Sequence, residues 1–120
     1  MRPLTLLAAA LTVLAFAPTA FAATPYDGTY IGTSASMLGA LNGSGRGCAT
    51  FQAPGPLTIT NGHAQTKWGD GKLEGDVSAD GALVMRSSLS GTFQGKIDAQ
   101  GVLTGGYMGG CQYSLKWQRR

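Results

Sequence analysis

Beyond its first two dozen residues, the chain is a succession of short runs in which apolar and polar side chains alternate. Leu57 and Ile59 fall on one parity and Thr58 and Thr60 on the other; Ala64, Thr66 and Trp68 then alternate with His63, Gln65 and Lys67. At the far end Cys111, Tyr113, Leu115 and Trp117 share one face, with Gln112, Ser114, Lys116 and Gln118 on the other. Alternation with a period of two is the pattern of a strand with one dry and one wet face. Two segments repeat a whole unit at an offset of twenty residues: LEGDVSADGALVM from Leu73 and FQGKIDAQGVLTG from Phe93. Each reads as a strand, a turn closed by glycine (Gly81, Gly101) and a return strand. A glycine there suits the left-handed position of a three-residue hairpin loop with a bulge. Asn61-Gly62 and Asp70-Gly71 mark two more turns.

A shorter motif runs through the chain. GTYIG (from Gly28), GKLEG (from Gly71), GTFQG (from Gly91) and GGYMG (from Gly105) set a bulky residue between two glycines on its own face. Glycine weakens a strand, so its repeated use needs a reason. A narrow, strongly coiled interior supplies one, because large and small residues must alternate to fill it. The pattern predicts an all-β fold, a small antiparallel meander barrel with a β-sandwich as the alternative. About eight short strands are expected, at 28–34, 47–53, 56–61, 63–69, 72–78, 82–89, 91–98 and 102–118, the last split near Gly109-Gly110. Closure would pair the first strand with the last and remove the exposed edges.

The start of the chain has a different character. A basic Met1-Arg2-Pro3, an apolar run from Leu4 to Phe16 and small residues at Ala20 and Ala22 form a secretory leader, with cleavage expected between Ala22 and Ala23. The apolar run is short of the ~20 residues a spanning helix needs. Residues 1–22 are thus a signal peptide and 23–120 a single β-barrel domain, bound for the periplasm or for secretion. Without the leader, eight Lys and Arg stand against six Asp and Glu, too small an excess for a nucleic-acid surface. A transmembrane barrel is a poor fit too, since most strands are short and their second face carries charge. No integral membrane segment is expected in the mature chain.

Cys48 and Cys111 are the two cysteines, and in an oxidising compartment such a pair forms a disulfide. The loop it closes, roughly 64 residues, corresponds to ~4 kcal/mol of chain entropy. Their spacing suits neither a C-x-x-C redox pair nor, with one histidine, a zinc site.

Candidate chemistry is sparse. The strand charges Lys67, Lys72, Glu74, Asp76, Arg86, Lys96 and Lys116 all take the outward parity, which leaves no inward carboxylate to act as an acid or base. His63, the one histidine, follows an Asn-Gly turn and lacks an evident nucleophile. Asp70, Asp80 and Asp98 are isolated turn acids, not a calcium loop. Neither a phosphate loop nor a dinucleotide fingerprint occurs. No catalytic residue, metal or cofactor is expected, and the chain is not expected to be an enzyme. The aromatics have two readings: a lining for an apolar or sugar ligand in a barrel mouth, or the core itself, which is favoured. Binding candidates are Trp68, Tyr107 and Trp117, with Met37, Leu38 and Arg46 in the Gly/Ser-rich segment Ser34–Gly47, expected to be a loop.

DGTYIG near the mature start and GGCQYSLKWQRR at the end resemble the termini of short, exported, Gly-rich all-β proteins of unknown function from Gram-negative, particularly alphaproteobacterial, bacteria. The resemblance implies a periplasmic or secreted location and carries no catalytic residues across. The expectation is a non-catalytic binding module for a small apolar ligand, a glycan or an envelope protein. The alternative is an inhibitor of an envelope protease or hydrolase.

Overall fold

In the computed structural model, residues 22–40 and 47–120 are described. The expected leader, apart from Ala22, and the candidate Arg46 lie outside them. Eight strands follow one another as β1 (Gly28–Ala40), β2 (Leu57–Thr60), β3 (His63–Trp68), β4 (Gly71–Val77), β5 (Ala82–Ser87), β6 (Thr92–Ile97), β7 (Val102–Met108) and β8 (Cys111–Arg119). Each pairs antiparallel with the next, and β1 pairs with β8, so the meander closes into a barrel. Among the described residues no helix is long and apolar enough to cross a membrane.

The inward parity read from the sequence is the buried face. Tyr30, Leu57, Leu73, Leu83, Met85, Phe93, Leu103, Leu115 and Trp117 are completely buried. Thr66 is the buried polar residue among those described, and its hydroxyl donates to the Pro56 carbonyl at 2.8 Å. The repeat forms two equivalent turns. Ser78 N–H bonds Ala82 O and Gly81 N–H bonds Ser78 O; Asp98 N–H bonds Val102 O and Gly101 N–H bonds Asp98 O. Gly81 and Gly101 sit at φ of 90° and 77°, the left-handed geometry this bulged loop requires.

The glycines beside the bulky residues serve two purposes. At Gly95 and Gly105 an added Cβ would lie 2.7 and 2.6 Å from the tip of the Phe93 ring and as close or closer to main-chain carbonyls of the neighbouring strand, and at Gly109 it would lie 2.7 Å from the Tyr107 hydroxyl. These rings fold over the glycines. At Gly75 and Gly32 the obstacle is main chain with no aromatic ring above it, the Val84 and Pro54 carbonyls, so there the backbones themselves come close.

Two segment assignments are corrected. Ser34–Ala40 is strand, not loop: β1 continues along β8 to the pair Ala40–Cys111, with irregularities between Gly32 and Ser34 and between Met37 and Gly39. The long, alternating β8 offers more edge than a short first strand could use, and the bulges absorb the glycines. Residues 47–53, by contrast, are not a strand. Pro54 and Pro56 bracket the approach to β2, and the segment crosses the barrel mouth as an irregular strap whose carbonyls accept bonds from inward side chains.

The two barrel ends differ. At the end holding the repeat turns, the segment Thr24–Asp27 folds across the opening. Asp27 accepts from the Asn61 and Gly62 amides at 2.7 and 3.0 Å and from the Thr24 hydroxyl at 2.6 Å. Tyr30 donates its hydroxyl to Tyr26 O at 2.6 Å, and Arg119 donates to Pro25 O. The opposite end carries the strap, the Cys48–Cys111 disulfide and a hollow.

Candidate functional site

The hollow is an open cup of about 530 Å³ at the disulfide end. Strand alternation builds its floor. Trp68 ends β3, Tyr107 is the last inward residue of β7 and Tyr113 the second inward residue of β8, so three strand ends deliver rings to one level. The strap adds Phe51. The Trp68 and Tyr107 rings lie 4.7 Å apart, Phe51 and Tyr113 5.1 Å, and Trp68 meets Phe51 and Tyr113 edge-on, each at 5.5 Å. Such edge and tilted arrangements suit the ring quadrupoles. Leu89, 66% exposed in the turn between β5 and β6, forms part of the rim.

The tyrosine hydroxyls of the floor are already engaged. Tyr113 donates its hydroxyl to Ala49 O at 2.6 Å, and Tyr107 donates its own to Ser90 O. Burial pushes the Tyr113 phenol above its ordinary value, with the nearby Tyr107 adding to the shift, so it stays a neutral donor. Below the floor, Trp117 donates its indole N–H to Gly55 O at 2.8 Å. The strap is therefore held by three inward side chains, counting Thr66, and by the disulfide, whose Cα atoms are 5.7 Å apart. The Ala35 amide also bonds Gln52 O at 2.9 Å, which couples the strap to β1.

The candidates separate accordingly. Trp68 and Tyr107 line the cup, whereas Trp117 is fully buried and packs edge-on against Phe93 at 5.4 Å as part of the core. Met37 and Leu38, 42% and 64% exposed, lie on β1 at the cup end but do not line the cup. Phe51, Tyr113, Leu89 and Lys67 are among the lining residues that the candidates did not include. Tyr113 was within reach: it shares the parity of Cys111, and a residue one inward step from the cysteine must sit near the disulfide. Phe51 had no such signal, because its segment follows no period.

On the outer wall β3 and β4 bring His63 between two acids. Its Nδ1 is 3.1 Å from Asp76 and its Nε2 3.3 Å from Glu74. The bond to Asp76 above all raises the His63 pKa above 6.5; burial opposes it, and the bond to Glu74 adds to the rise. Glu74 is lowered in turn, first by His63 and then by Lys72 at 3.4 Å. The group is half exposed and faces away from the cup. Among the described residues no cluster of His, Cys, Asp or Glu has the makings of a metal site.

No protein-family model, curated protein or solved structure matches the chain.

Proposed function

We propose that the chain is a non-catalytic binding module that takes a small apolar ligand, or the apolar part of a larger one, into the cup between the strap and the strand ends. The observation that carries this reading is the floor of Phe51, Trp68, Tyr107 and Tyr113, whose tyrosine hydroxyls are spent on backbone carbonyls. A floor whose two tyrosine hydroxyls are committed, and whose remaining side-chain donor is one indole N–H, rewards apolar surface more than the many hydroxyls of a sugar, which would need free partners. This favours the apolar ligand over the glycan. The volume falls in the ~300–1,000 Å³ range of small-molecule sites. Lys67 is the charged residue among those described around the cup, so no acid–base pair faces a ligand there. The inhibitor alternative finds less support, since the segment Thr24–Asp27 is folded across the far end instead of extending freely. The disulfide favours an oxidising compartment, in keeping with export to the periplasm or beyond.

Titration with the uncharged fluorophore N-phenyl-1-naphthylamine tests this. Saturable binding to the oxidised chain, weakened at least tenfold by Trp68→Ala and unchanged by His63→Ala, is the expected result. Binding that Trp68→Ala leaves intact would place the ligand elsewhere.

A further inference from the structure

The ligand class can be narrowed beyond "apolar", on the basis of the cup reading above. The wall around the cup is aromatic, aliphatic and small, except at one place. Lys67, exposed at the end of β3 and adjacent to Trp68, brings a cation to the rim. Its position is unusual in a second way. In the β3–β4 register Lys67 stands directly opposite Lys72. Like charges directly opposite one another destabilise a sheet. Lys72 has a partner, Glu74, at 3.4 Å. No described acidic side chain lies within ion-pair distance of Lys67, and its residue borders both the cup and a hollow of the outer wall shared with Gln65 and Lys72, so its flexible stem can bring the ammonium over the strand end.

We propose that the cup binds an anionic amphiphile: an unbranched apolar tail lying on Trp68 and Tyr107, with a carboxylate or comparable anionic head held at the rim by Lys67. The two halves of the site are complementary to the two halves of such a ligand. The floor has committed its tyrosine donors and suits methylene groups. The rim provides one flexible ammonium, which can follow heads of different shape because it acts as a point charge, not a planar fork. A charge-assisted hydrogen bond at the edge of an apolar site is stronger than a neutral one.

The test uses ligands with one tail and three heads, each below its micelle-forming concentration: decanoate, 1-decanol and decyltrimethylammonium. They are titrated by displacement of N-phenyl-1-naphthylamine from the oxidised chain. Decanoate is expected to bind roughly tenfold tighter than decanol, in line with one charge-assisted contact, and the ammonium weakest. Lys67→Gln should bring decanoate to parity with decanol while leaving decanol unchanged. Lys67→Arg should retain the preference. Lys72→Gln is the control for the general field, and should leave the ratio of decanoate to decanol as in the wild type. Equal binding of decanoate and decanol, or a preference that survives Lys67→Gln or disappears with Lys72→Gln, overturns the proposal while the apolar cup stands. If none of the three displaces the probe, the proposal falls together with the tail site.

Discussion

Tyr113 donates its hydroxyl to the main-chain carbonyl of Ala49 at 2.6 Å, and this bond joins β8 to the strap that walls the cup. The two residues are far apart in sequence. Their contact explains why an irregular segment can hold a defined path over a barrel mouth: inward side chains supply the donors that a neighbouring strand would otherwise provide.

Tyr113→Phe keeps the ring and removes that donor. The cost should be about 1 kcal/mol, since one hydrogen bond is lost and the Ala49 carbonyl is exposed enough to find water. Denaturant unfolding monitored by circular dichroism reads it as a lower midpoint at unchanged slope.

Removing the disulfide acts on the same segment more strongly. Cys48→Ser with Cys111→Ser should destabilise the chain by roughly 2–5 kcal/mol while keeping the barrel, because β1 and β8 are already paired from Tyr30–Arg119 to Ala40–Cys111 by main-chain bonds. Far-UV circular dichroism should be retained at low temperature, and affinity for an apolar probe should fall as the strap loses its anchor. Loss of all β structure on reduction would contradict the division of labour between barrel and strap.

The glycines give a contrast. Gly75→Ala places a methyl group on the Val84 carbonyl of the adjacent strand and should cost roughly 1–3 kcal/mol. Gly39→Ala, in β1 with nothing within 4 Å, should stay within about 0.5 kcal/mol of the wild type. Thermal unfolding of the two variants side by side distinguishes close backbone approach from the general cost of changing a strand glycine.

Two groups give the stability opposite slopes with pH. His63 has a folded pKa raised above 6.5, so its contribution is fully present below about pH 6.5 and is lost as pH rises through the folded value. Asp27 is lowered from 3.8, first by the Thr24 hydroxyl and, against the opposing effect of burial, by the Gly62 and Asn61 amides. Its contribution is present above that value and is lost as pH falls through the folded one. His63→Gln should flatten the neutral-to-alkaline limb of a midpoint-versus-pH curve, and Asp27→Asn the acid limb. With both groups partly exposed, each effect is modest.

Much of the barrel was legible because burial in a meander follows parity. Leu57, Leu73, Phe93 and Trp117 all fall where the alternation puts them, and the twenty-residue repeat announces its own turns. Local sequence ends the first strand at residue 34, because Gly39 and the Gly/Ser-rich stretch beyond it resemble a loop. What makes Ser34–Ala40 a strand is the long edge of β8, a partner invisible in local sequence. The strap failed for the converse reason. Residues 47–53 have strand-like content, but apart from one bond from the Ala35 amide of β1 to Gln52 O their partners are side chains, Tyr113 here and Thr66 and Trp117 further along, and no strand ladder forms. At the site itself, parity delivers Trp68 and Tyr107 to the interior. It does not tell which inward residues lie at the open end and which, like Trp117, lie beneath it. That depends on strand length and tilt, and on where the strap crosses.

The two tryptophans make the central claim directly measurable. Trp68 lines the cup, while Trp117 lies below it with its indole N–H bonded to Gly55 O. In a ¹⁵N–¹H correlation spectrum of the oxidised chain, titration with an apolar ligand such as 1-decanol should shift the indole resonance of Trp68 progressively and saturably, with that of Trp117 nearly fixed. Shifts confined to the outer wall around His63 and Asp76, or an unmoved Trp68 indole at saturating ligand, would contradict a binding cup at the disulfide end.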